Sequence, residues 1–309
     1  MRKKTTMDKQ LIALEKTFGY SRLTEIEAPF ILDRGIKLYL KRDDLLHPII
    51  SGNKWRKLKY ILDHALACET HTLISMGGAY SNHLHALAYT GKLLGIKTVG
   101  IIRGEQPKVL NPTLLDLQAW GMQLQFVSRS DYRQLRDYKQ HDALPNLKLG
   151  EYWLPEGGAM VLALQGVAEL LDEIDIDYDT LCVPCGTATT LAGIVSAAEK
   201  DKTILGFSAL KGASYLNEEV TNLIKNESCH NKRWFIHLNY HFGGFAKKNA
   251  DLLDFIEQFE VQHAIPLEPI YTAKMLYGIF DLIQKGHFSA GQKIIAVHTG
   301  GLQGNRSVA

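Results

Sequence analysis

Residues 51–59 read SGNKWRKLK, and this short stretch combines a small, polar start with a run of basic side chains. Its first three residues are of types that begin helices, and from Leu58 onward apolar residues recur at helical spacing. The pattern predicts an amphipathic helix with Lys54 in or near its first turn. The helix-end field and the neighbouring cations disfavour an ammonium group there, which makes Lys54 a candidate nucleophile. The competing interpretation is that these basic residues only solvate the start of a helix.

Outward from this stretch, short apolar runs alternate with segments of helical periodicity. Predicted strands cover residues 73–75, 98–102, 123–127, 180–183, 204–208 and 294–297. Strands that are apolar on both faces are typical of parallel sheets covered by helices on both sides. The chain is therefore predicted to be an α/β protein.

Two interruptions suggest how the chain is divided. Its 309 residues are enough for two domains. Small and turn-forming residues cluster at 51–53 and again at 152–158, which reads YWLPEGG. We expect a smaller α/β domain of residues 51–160, inserted into a larger one made of residues 1–50 and 161–309.

Composition excludes several classes of function. With 35 basic and 33 acidic residues the formal net charge is only +2, and no clustered basic face predicts nucleic-acid binding. The sequence has no apolar run near the roughly 20 residues of a membrane-spanning helix, and the basic start at Arg2 leads into no signal-like apolar region. Four cysteines are too few for a disulfide framework, so a cytoplasmic protein is expected.

A second segment, residues 76–83, reads MGGAYSNH and joins a predicted strand to a predicted helix. The carboxyl ends of strands are where α/β proteins expose reactive groups. Ser81, Asn82 and His83 would place a hydroxyl, an amide and an imidazole at this point. Ser81 could equally be a simple helix cap, and the absence of a Gly-x-Ser-x-Gly elbow argues against a serine hydrolase.

A third segment, residues 185–193, reads CGTATTLAG and combines small and hydroxyl residues ahead of a helix. Backbone N–H groups and the positive end of the helix suit a phosphate there. The predicted phosphate-binding residues are Gly186, Thr187, Ala188, Thr189 and Thr190. The glycine fingerprint of nucleotide-dependent oxidoreductases and the Walker motif are both missing, so those rival functions are disfavoured.

Cysteine and histidine spacing predicts no metal site. Cys182 and Cys185 form a C-x-x-C, but no second cysteine pair accompanies it, so a structural role is the preferred interpretation. Late in the chain, residues 268–274 and 298–301 place polar groups at predicted element ends. Each of these two segments is uninformative alone.

Taken in order, the segments resemble the 1-aminocyclopropane-1-carboxylate (ACC) deaminases and D-cysteine desulfhydrases, which are pyridoxal-phosphate (PLP) enzymes of fold type II. The resemblance runs from about Leu23 to Gly301 and is strongest at residues 41–45 (KRDDL) followed by 51–58. It implies two doubly wound α/β domains with PLP in the cleft between them. It also implies Lys54 as the Schiff-base lysine and a homodimer acting on a small amino acid.

The other segments resemble family loops, and each resemblance implies a role. Residues 77–83 imply that Ser81 is a nucleophile or proton carrier and that Asn82 binds the phenolic oxygen of PLP. Residues 186–190 imply the phosphate site. Residues 268–274 (EPIYTAK) imply a catalytic Tyr271, and residues 298–301 (HTGG) imply that Thr299 places a hydroxyl at the pyridine nitrogen.

Four positions depart from the family pattern. Leu84-His85 follows His83 where the family usually has x-Arg, Thr189 stands where a glycine is usual, and Phe245 replaces a second tyrosine. Thr272 follows Tyr271, whereas ACC deaminases carry glutamate there.

Thr272, in place of the glutamate of ACC deaminases, favours a D-cysteine desulfhydrase-like lyase. Such an enzyme releases thiolate and yields pyruvate, ammonia and sulfide. The first alternative is an ACC deaminase, a hydrolase that yields 2-oxobutanoate and ammonia. The second is a PLP-binding protein without catalysis, because Phe245 lacks the phenol. The sequence leaves the physiological substrate and its stereochemistry open.

Overall fold

The computed structural model describes residues 7–50, 52–227 and 231–307, so Arg2 and Ser51 lie outside the described residues. The strands are β1 (Leu23–Ile26), β2 (Lys37–Lys41), β3 (Thr72–Gly77), β4 (Lys97–Arg103), β5 (Gln123–Val127), β6 (Glu151–Leu154), β7 (Thr180–Cys185), β8 (Thr203–Ser208), β9 (Trp234–His237) and β10 (Lys293–Val297). The helices are α1 (Lys9–Glu15), α2 (Pro29–Asp33), α3 (Asn53–Ala67), α4 (Asn82–Leu94), α5 (Pro112–Ala119), α6 (Arg129–Leu135), α7 (Leu162–Asp172), α8 (Thr189–Ala197), α9 (Leu216–Ile224), α10 (Ala250–His263) and α11 (Thr272–Gln284). None of the helices in these ranges has the length and apolar character needed to cross a lipid bilayer.

The strands form two separate sheets. The six-stranded sheet has the order β1-β2-β10-β7-β8-β9, and only the β1–β2 pair is antiparallel. The four-stranded sheet has the order β5-β4-β3-β6 and is parallel throughout. The predicted α/β class is therefore confirmed.

Helices cover both faces of the six-stranded sheet. Alternate residues of a strand point to opposite faces. In β10, Ile294 and Ala296 belong to one core, which includes α11, while Ile295 and Val297 belong to another, which includes α8. All four side chains are fully buried, as expected for a strand at the centre of a doubly wound sheet.

All six predicted strands are present, but β1, β2, β6 and β9 were not predicted from the sequence. The segment 152–158, predicted as a crossing between domains, begins within a strand that was not predicted: Glu151–Leu154 is β6, paired parallel with β3. Tyr152, Trp153 and Leu154 are buried against the two cores of the four-stranded sheet. Strands β3 to β6 all lie between residues 51 and 160, but the domain boundaries themselves stay a prediction.

Candidate active site

The start of α3 is held against the end of β10. Gly52 is the residue before the helix, and it caps α3 without a side-chain hydrogen bond. The backbone N–H of Asn53 donates to the carbonyl oxygen of Thr299 at 3.3 Å. Gly52 has φ +61°, and a Cβ added there would lie 1.7 Å from the same oxygen, so glycine is required. A residue of the predicted small, polar start therefore is the N-cap of α3, but it caps the helix through its backbone conformation and not through a side chain.

Buried ion pairs fix the next turn of α3. The guanidinium of Arg56 binds both carboxylate oxygens of Asp43 at 2.7 and 2.8 Å and both oxygens of Glu173 at 2.8 Å. Lys41 Nζ reaches Glu173 at 2.7 Å, and Asp43 also accepts a hydrogen bond from Ser21 at 2.7 Å. The KRDDL segment therefore positions the helix that carries Lys54.

Two amines from α3 lie near each other beside the start of α8. Burial lowers the pKa of Lys54 to about 8, although the negative charge of Glu268 acts in the opposite direction. Burial, and then the charge of Lys54, hold the pKa of Lys57 well below its ordinary value. Burial, and not the helix end or the nearby cations expected from the sequence, is therefore the main cause of the lowered pKa of Lys54.

The predicted phosphate-binding residues join β7 to α8. Lys57 Nζ lies 3.2 Å from Thr187 Oγ1, and the side-chain amide of Asn53 donates to Thr190 Oγ1 at 2.9 Å. These contacts bring the starts of α3 and α8 together, although the bonded residues are 130 and 137 positions apart in the chain. A Cβ added to Gly186 would lie 2.5 Å from the ring of Tyr271, so the predicted tyrosine packs directly on this loop.

Glu268 organises the backbone around Tyr271. Its carboxylate accepts hydrogen bonds from the N–H groups of Ile270 at 2.7 Å and Tyr271 at 2.8 Å, and from that of Thr272. Burial raises the pKa of Glu268 to about 7, against the effect of these donors. Burial, and then the charge of Glu268, raise the pKa of the Tyr271 phenol. Tyr271 is therefore a protonated phenol at neutral pH.

Phe245 lies beside Tyr271 and is half exposed. The two ring centroids are 6.1 Å apart in an edge arrangement. Lys274, on the first turn of α11, donates to the carbonyl oxygens of His241 at 2.9 Å and Gly244 at 2.8 Å, which holds the preceding loop in place. Phe245, at the position where the family usually carries a second tyrosine, thus lies next to Tyr271 but brings no hydroxyl to it.

Ser81 and Asn82 approach from the start of α4. Ser81 is the N-cap of the helix and accepts a hydrogen bond from the N–H of Leu84 at 3.2 Å. The side chain of Asn82 accepts a hydrogen bond from Gln303, and a Cβ added to Gly301 would lie 2.6 Å from its amide nitrogen. The capping role of Ser81 is present, and it leaves the hydroxyl hydrogen free for another partner.

His83 is a site residue whose state the sequence did not indicate. Ser75 Oγ donates to the carbonyl oxygen of Leu154 at 2.8 Å and contacts His83 Nε2 at 2.9 Å, so His83 Nε2 carries the hydrogen. Nδ1 is buried and has no hydrogen-bond partner among the described residues. Burial, and then Lys54 and Lys57, lower the pKa of His83 to about 3, so it is neutral.

Lys57 and Glu268 are further residues that sequence reasoning missed. Lys57 lies three positions after Lys54, and residues at this spacing share one face of a helix, so a signal was available. Glu268 offered none, because its role depends on burial and on backbone groups of the next turn. Cys182 and Cys185 are buried in β7, and burial raises the pKa of Cys185 to about 12, which fits the structural interpretation.

The donor set fits a phosphorylated aldehyde such as PLP. Lys54 offers an amine of lowered pKa, and residues 186–190 with Lys57 offer hydroxyls, backbone N–H groups and an amine for a phosphate. The Thr272 hydroxyl, one residue after Tyr271, is fully buried and has no hydrogen-bond partner among the described residues. Such an orphaned buried hydroxyl is costly unless a ligand satisfies it.

Comparisons with known proteins agree with this geometry. The sequence profile of a family described as pyridoxal-phosphate dependent enzyme matches residues 19–300. A putative ACC deaminase of Pyrococcus horikoshii is 30% identical over 284 residues, covering 87% of this chain and 86% of that protein. The mitochondrial bifunctional D-cysteine desulfhydrase/ACC deaminase of Arabidopsis thaliana is 29% identical, covering 88% of this chain and 74% of that protein.

A solved structure shows the same fold over almost the whole chain. The crystal structure of an ACC deaminase homologue superimposes with a TM-score of 0.76 at 26% identity and covers 97% of both chains. The predicted cofactor class and the fold-type-II class are thus confirmed. The chain belongs to the family of pyridoxal-phosphate-dependent enzymes, within the group of the ACC deaminases and D-cysteine desulfhydrases.

Proposed function

We propose that the protein is a D-cysteine desulfhydrase-like lyase, which converts D-cysteine or a related small amino acid to pyruvate, ammonia and sulfide. The observation that carries this choice is Thr272, a buried and unpartnered hydroxyl directly after Tyr271. ACC deaminases carry a carboxylate at this position. PLP, when bound, supplies an electron sink for breaking bonds at the α-carbon of an amino acid.

In this proposal each part of the site has one task toward the cofactor. Lys54 holds the aldehyde, and residues 186–190 with Lys57 hold the phosphate. Asn82 would bind the phenolic oxygen, and the hydroxyl of Thr299 or Thr272 would bind the pyridine nitrogen. A hydroxyl can donate to or accept from that nitrogen, so it does not oblige the ring to be protonated as a carboxylate would.

Proton movements are assigned to Lys54, Tyr271 and Ser81. Elimination needs a base for the α-hydrogen and an acid for the departing thiolate. Lys54, with a pKa of about 8, is partly neutral at physiological pH and can accept the α-proton at Nζ. Tyr271 keeps its phenolic proton and can donate it to the leaving sulfur, while Ser81 can relay a proton or hold the substrate.

ACC deamination is the second candidate, favoured by the names of two relatives, a putative ACC deaminase and a bifunctional plant enzyme. ACC has no α-hydrogen, so its ring must be opened by nucleophilic attack or by removal of a β-proton. A weakly protonated pyridine ring is a poor electron sink for that step. Thr272 therefore disfavours ACC as the main substrate.

Loss of catalysis is the third candidate, because Phe245 brings no phenol to its position beside Tyr271. Against it, Lys54, Ser81 and Tyr271 are all retained. In that case PLP would bind normally and no amino acid would be turned over.

The test is a substrate screen with the PLP-loaded protein, using D-cysteine, L-cysteine and ACC. Sulfide and pyruvate from D-cysteine, with little or no 2-oxobutanoate from ACC, is the expected result. Efficient 2-oxobutanoate release from ACC with Thr272 in place would overturn the proposal in favour of the deaminase. Bound PLP without any keto acid from a wide panel of D- and L-amino acids would favour the non-catalytic protein.

We further propose that the protein is a cytoplasmic homodimer with domain boundaries near residues 51 and 160. The buried, unpaired thiols of Cys182 and Cys185 are compatible with a reducing compartment, and the family resemblance supports the dimer. Light scattering of the purified protein would give its mass in solution. A monomeric mass at micromolar concentration would contradict the dimer.

A further inference from the structure

Three potential metal ligands meet beside strand β6, near the opposite end of α3 from Lys54. His64 and Cys68 are four residues apart at the end of α3, and His141 lies in the loop before β6. One nitrogen from each histidine and the sulfur of Cys68 all lie within 4.8 Å of one another. Along α3, His64 is ten residues beyond Lys54, a distance of about 15 Å at the helical rise.

We propose that His64, Cys68 and His141 form a binding site for one divalent transition-metal ion, with Zn²⁺ as the preferred ion. Two imidazoles and a thiolate are ligands that Zn²⁺ prefers, and three protein ligands leave a fourth tetrahedral position for water. Tetrahedral Zn²⁺ with bonds of about 2.0–2.3 Å needs its ligand atoms roughly 3.3–3.6 Å apart. Cys68 Sγ is already 3.8 and 4.0 Å from the two ring nitrogens of His64.

Tyr152 orients both histidine rings of this cluster. Its hydroxyl lies 3.1 Å from His64 Nδ1, and its ring stacks on that of His141 with centroids 4.9 Å apart. If Nδ1 donates to this hydroxyl, Nε2 keeps its lone pair free for a metal ion. A hydrogen-bond partner on the second nitrogen is the usual way to fix a metal-binding histidine.

The backbone and the exposure of Cys68 support the same arrangement. The N–H of Trp153 donates to the carbonyl oxygen of His141 at 2.9 Å, which ties the loop to β6. Cys68 is a free, exposed cysteine, so a metal ion can reach its sulfur from solvent.

A cavity gives access to this cluster. It has a volume of about 510 Å³ and is lined by His64 and His141, and also by Met160, Ala188 and Thr189. Water or a small ligand can therefore reach the fourth position of a bound ion. Residues 188 and 189 belong to the proposed phosphate loop, so the cavity links the two sites without a shared ligand.

The experiment uses the PLP-loaded protein in buffer free of thiols and chelators, with Co²⁺ as a spectroscopic probe for Zn²⁺. The wild type is expected to bind one Co²⁺ per chain, with a thiolate-to-cobalt charge-transfer band in the difference spectrum that Zn²⁺ removes. Cys68→Ser should abolish the band, and His141→Gln should weaken binding at least tenfold. Tyr152→Phe should weaken binding roughly 10- to 100-fold, the range found for losing a partner of a ligating histidine.

Two controls distinguish metal binding at this cluster from binding at another thiol and from a general loss of folding. Cys229 lies outside the described residues, and Cys229→Ser tests its thiol; the band should be unchanged in this variant. Without metal, Cys68→Ser should melt at the wild-type temperature and turn over substrate at the wild-type rate, which shows that the fold is intact. Absence of the band in the wild type, its survival in Cys68→Ser, or its loss in Cys229→Ser would each overturn the proposal.

Discussion

The cofactor side and the substrate side of the proposed site are built differently. The first turns of α3 and α8 are joined by buried side-chain contacts, among them Asn53 to Thr190 and Lys57 to Thr187. Around Tyr271, the neighbouring Phe245 is half exposed and contacts it only through ring edges. Cofactor binding is therefore fixed by packing and buried polar contacts, while the substrate side can change at low structural cost.

The ion pairs behind α3 explain why the cofactor side is so constrained. Arg56 binds Asp43 and Glu173 with both arms of its guanidinium, and neither Arg56 nor Asp43 is exposed. Removing one partner of a buried pair typically costs about 3–5 kcal/mol, because the other charge is left uncompensated. Substitution of Arg56 or Asp43 would therefore disturb the helix that carries Lys54, whereas substitution of the half-exposed Phe245 would leave the core intact.

The largest effect is expected at the centre of the cofactor side. Lys54→Ala should abolish turnover and the borohydride-reducible attachment of PLP, because the proposed covalent bond needs this amine. Peptide mass spectrometry after reduction measures the attachment. Lys59→Ala is the matched control, since Lys59 lies on the same helix but binds Glu15 and Glu169, and it should keep activity. A reduced PLP adduct on Lys57 in wild-type protein would show that the wrong lysine was assigned.

The second effect tests the substrate side. Ser81→Ala and Tyr271→Phe should each lower kcat by roughly 10²–10⁴-fold, as is typical when a general acid or base is lost, while PLP stays bound. Steady-state sulfide release and the PLP content of the purified variants are the two measurements. Tyr240→Phe is the control, because the Tyr240 hydroxyl binds Asp281 outside the site. Loss of PLP from either variant would contradict the separation of the two sides.

The third effect is a loss of PLP affinity when hydroxyl groups of the proposed phosphate loop, residues 186–190, are removed. Thr187→Val and Thr190→Val should each weaken PLP binding by about 1.5–3 kcal/mol, the usual contribution of a hydrogen bond to a charged group. Turnover at saturating PLP should change much less. Equilibrium dialysis of the apo-protein measures the affinity, with Thr180→Val at the other end of β7 as the control. Unchanged affinity in both loop variants would place the phosphate elsewhere.

The smallest effect is expected in the pH dependence of PLP capture by the apo-protein, which should follow the pKa of Lys54 and shift when Glu268 is replaced. Below a pKa of about 8 the neutral fraction of Lys54 falls roughly tenfold per pH unit, so PLP capture by the apo-protein should slow with it and level off above pH 8. Glu268 raises the pKa of Lys54, so Glu268→Gln should move the midpoint to lower pH. Stopped-flow mixing with PLP gives the rate. A midpoint near 10, the ordinary range of lysine, would show that burial does not act on Lys54 as the structure indicates.

Sequence reasoning could predict candidate reactive groups, but it could not predict the contacts that hold them in place. Lys54 and the loop 186–190 were predicted from local patterns, whereas Tyr271 was predicted only from the family resemblance; the structure packs Tyr271 on the loop. The bond from Asn53 to Thr190 was not predictable, because it joins residues 137 positions apart. The state of His83 depends on Ser75 and Leu154 in the neighbouring strands, which no local pattern reports.

Strand prediction was limited by length and burial. The missed strands β1, β6 and β9 have four residues each, too few for a clear alternation of apolar and polar side chains. In β6 the apolar run Tyr152-Trp153-Leu154 is followed directly by proline and glycines, which indicate a turn and concealed the strand. Both sheets nevertheless followed from the longer apolar runs.

The position of β10 in the six-stranded sheet has a consequence for how the protein is made. This strand, the last in the chain, lies between β2 and β7, and the residue after next, Thr299, holds the start of α3. All strands of the four-stranded sheet have been synthesised by residue 154, whereas the centre of the other sheet is missing until residue 297. At about 5–20 residues per second, these events are on the order of ten seconds apart on a ribosome. A nascent chain therefore carries its reactive lysine long before it can form the complete cofactor pocket, and PLP capture belongs to the end of synthesis.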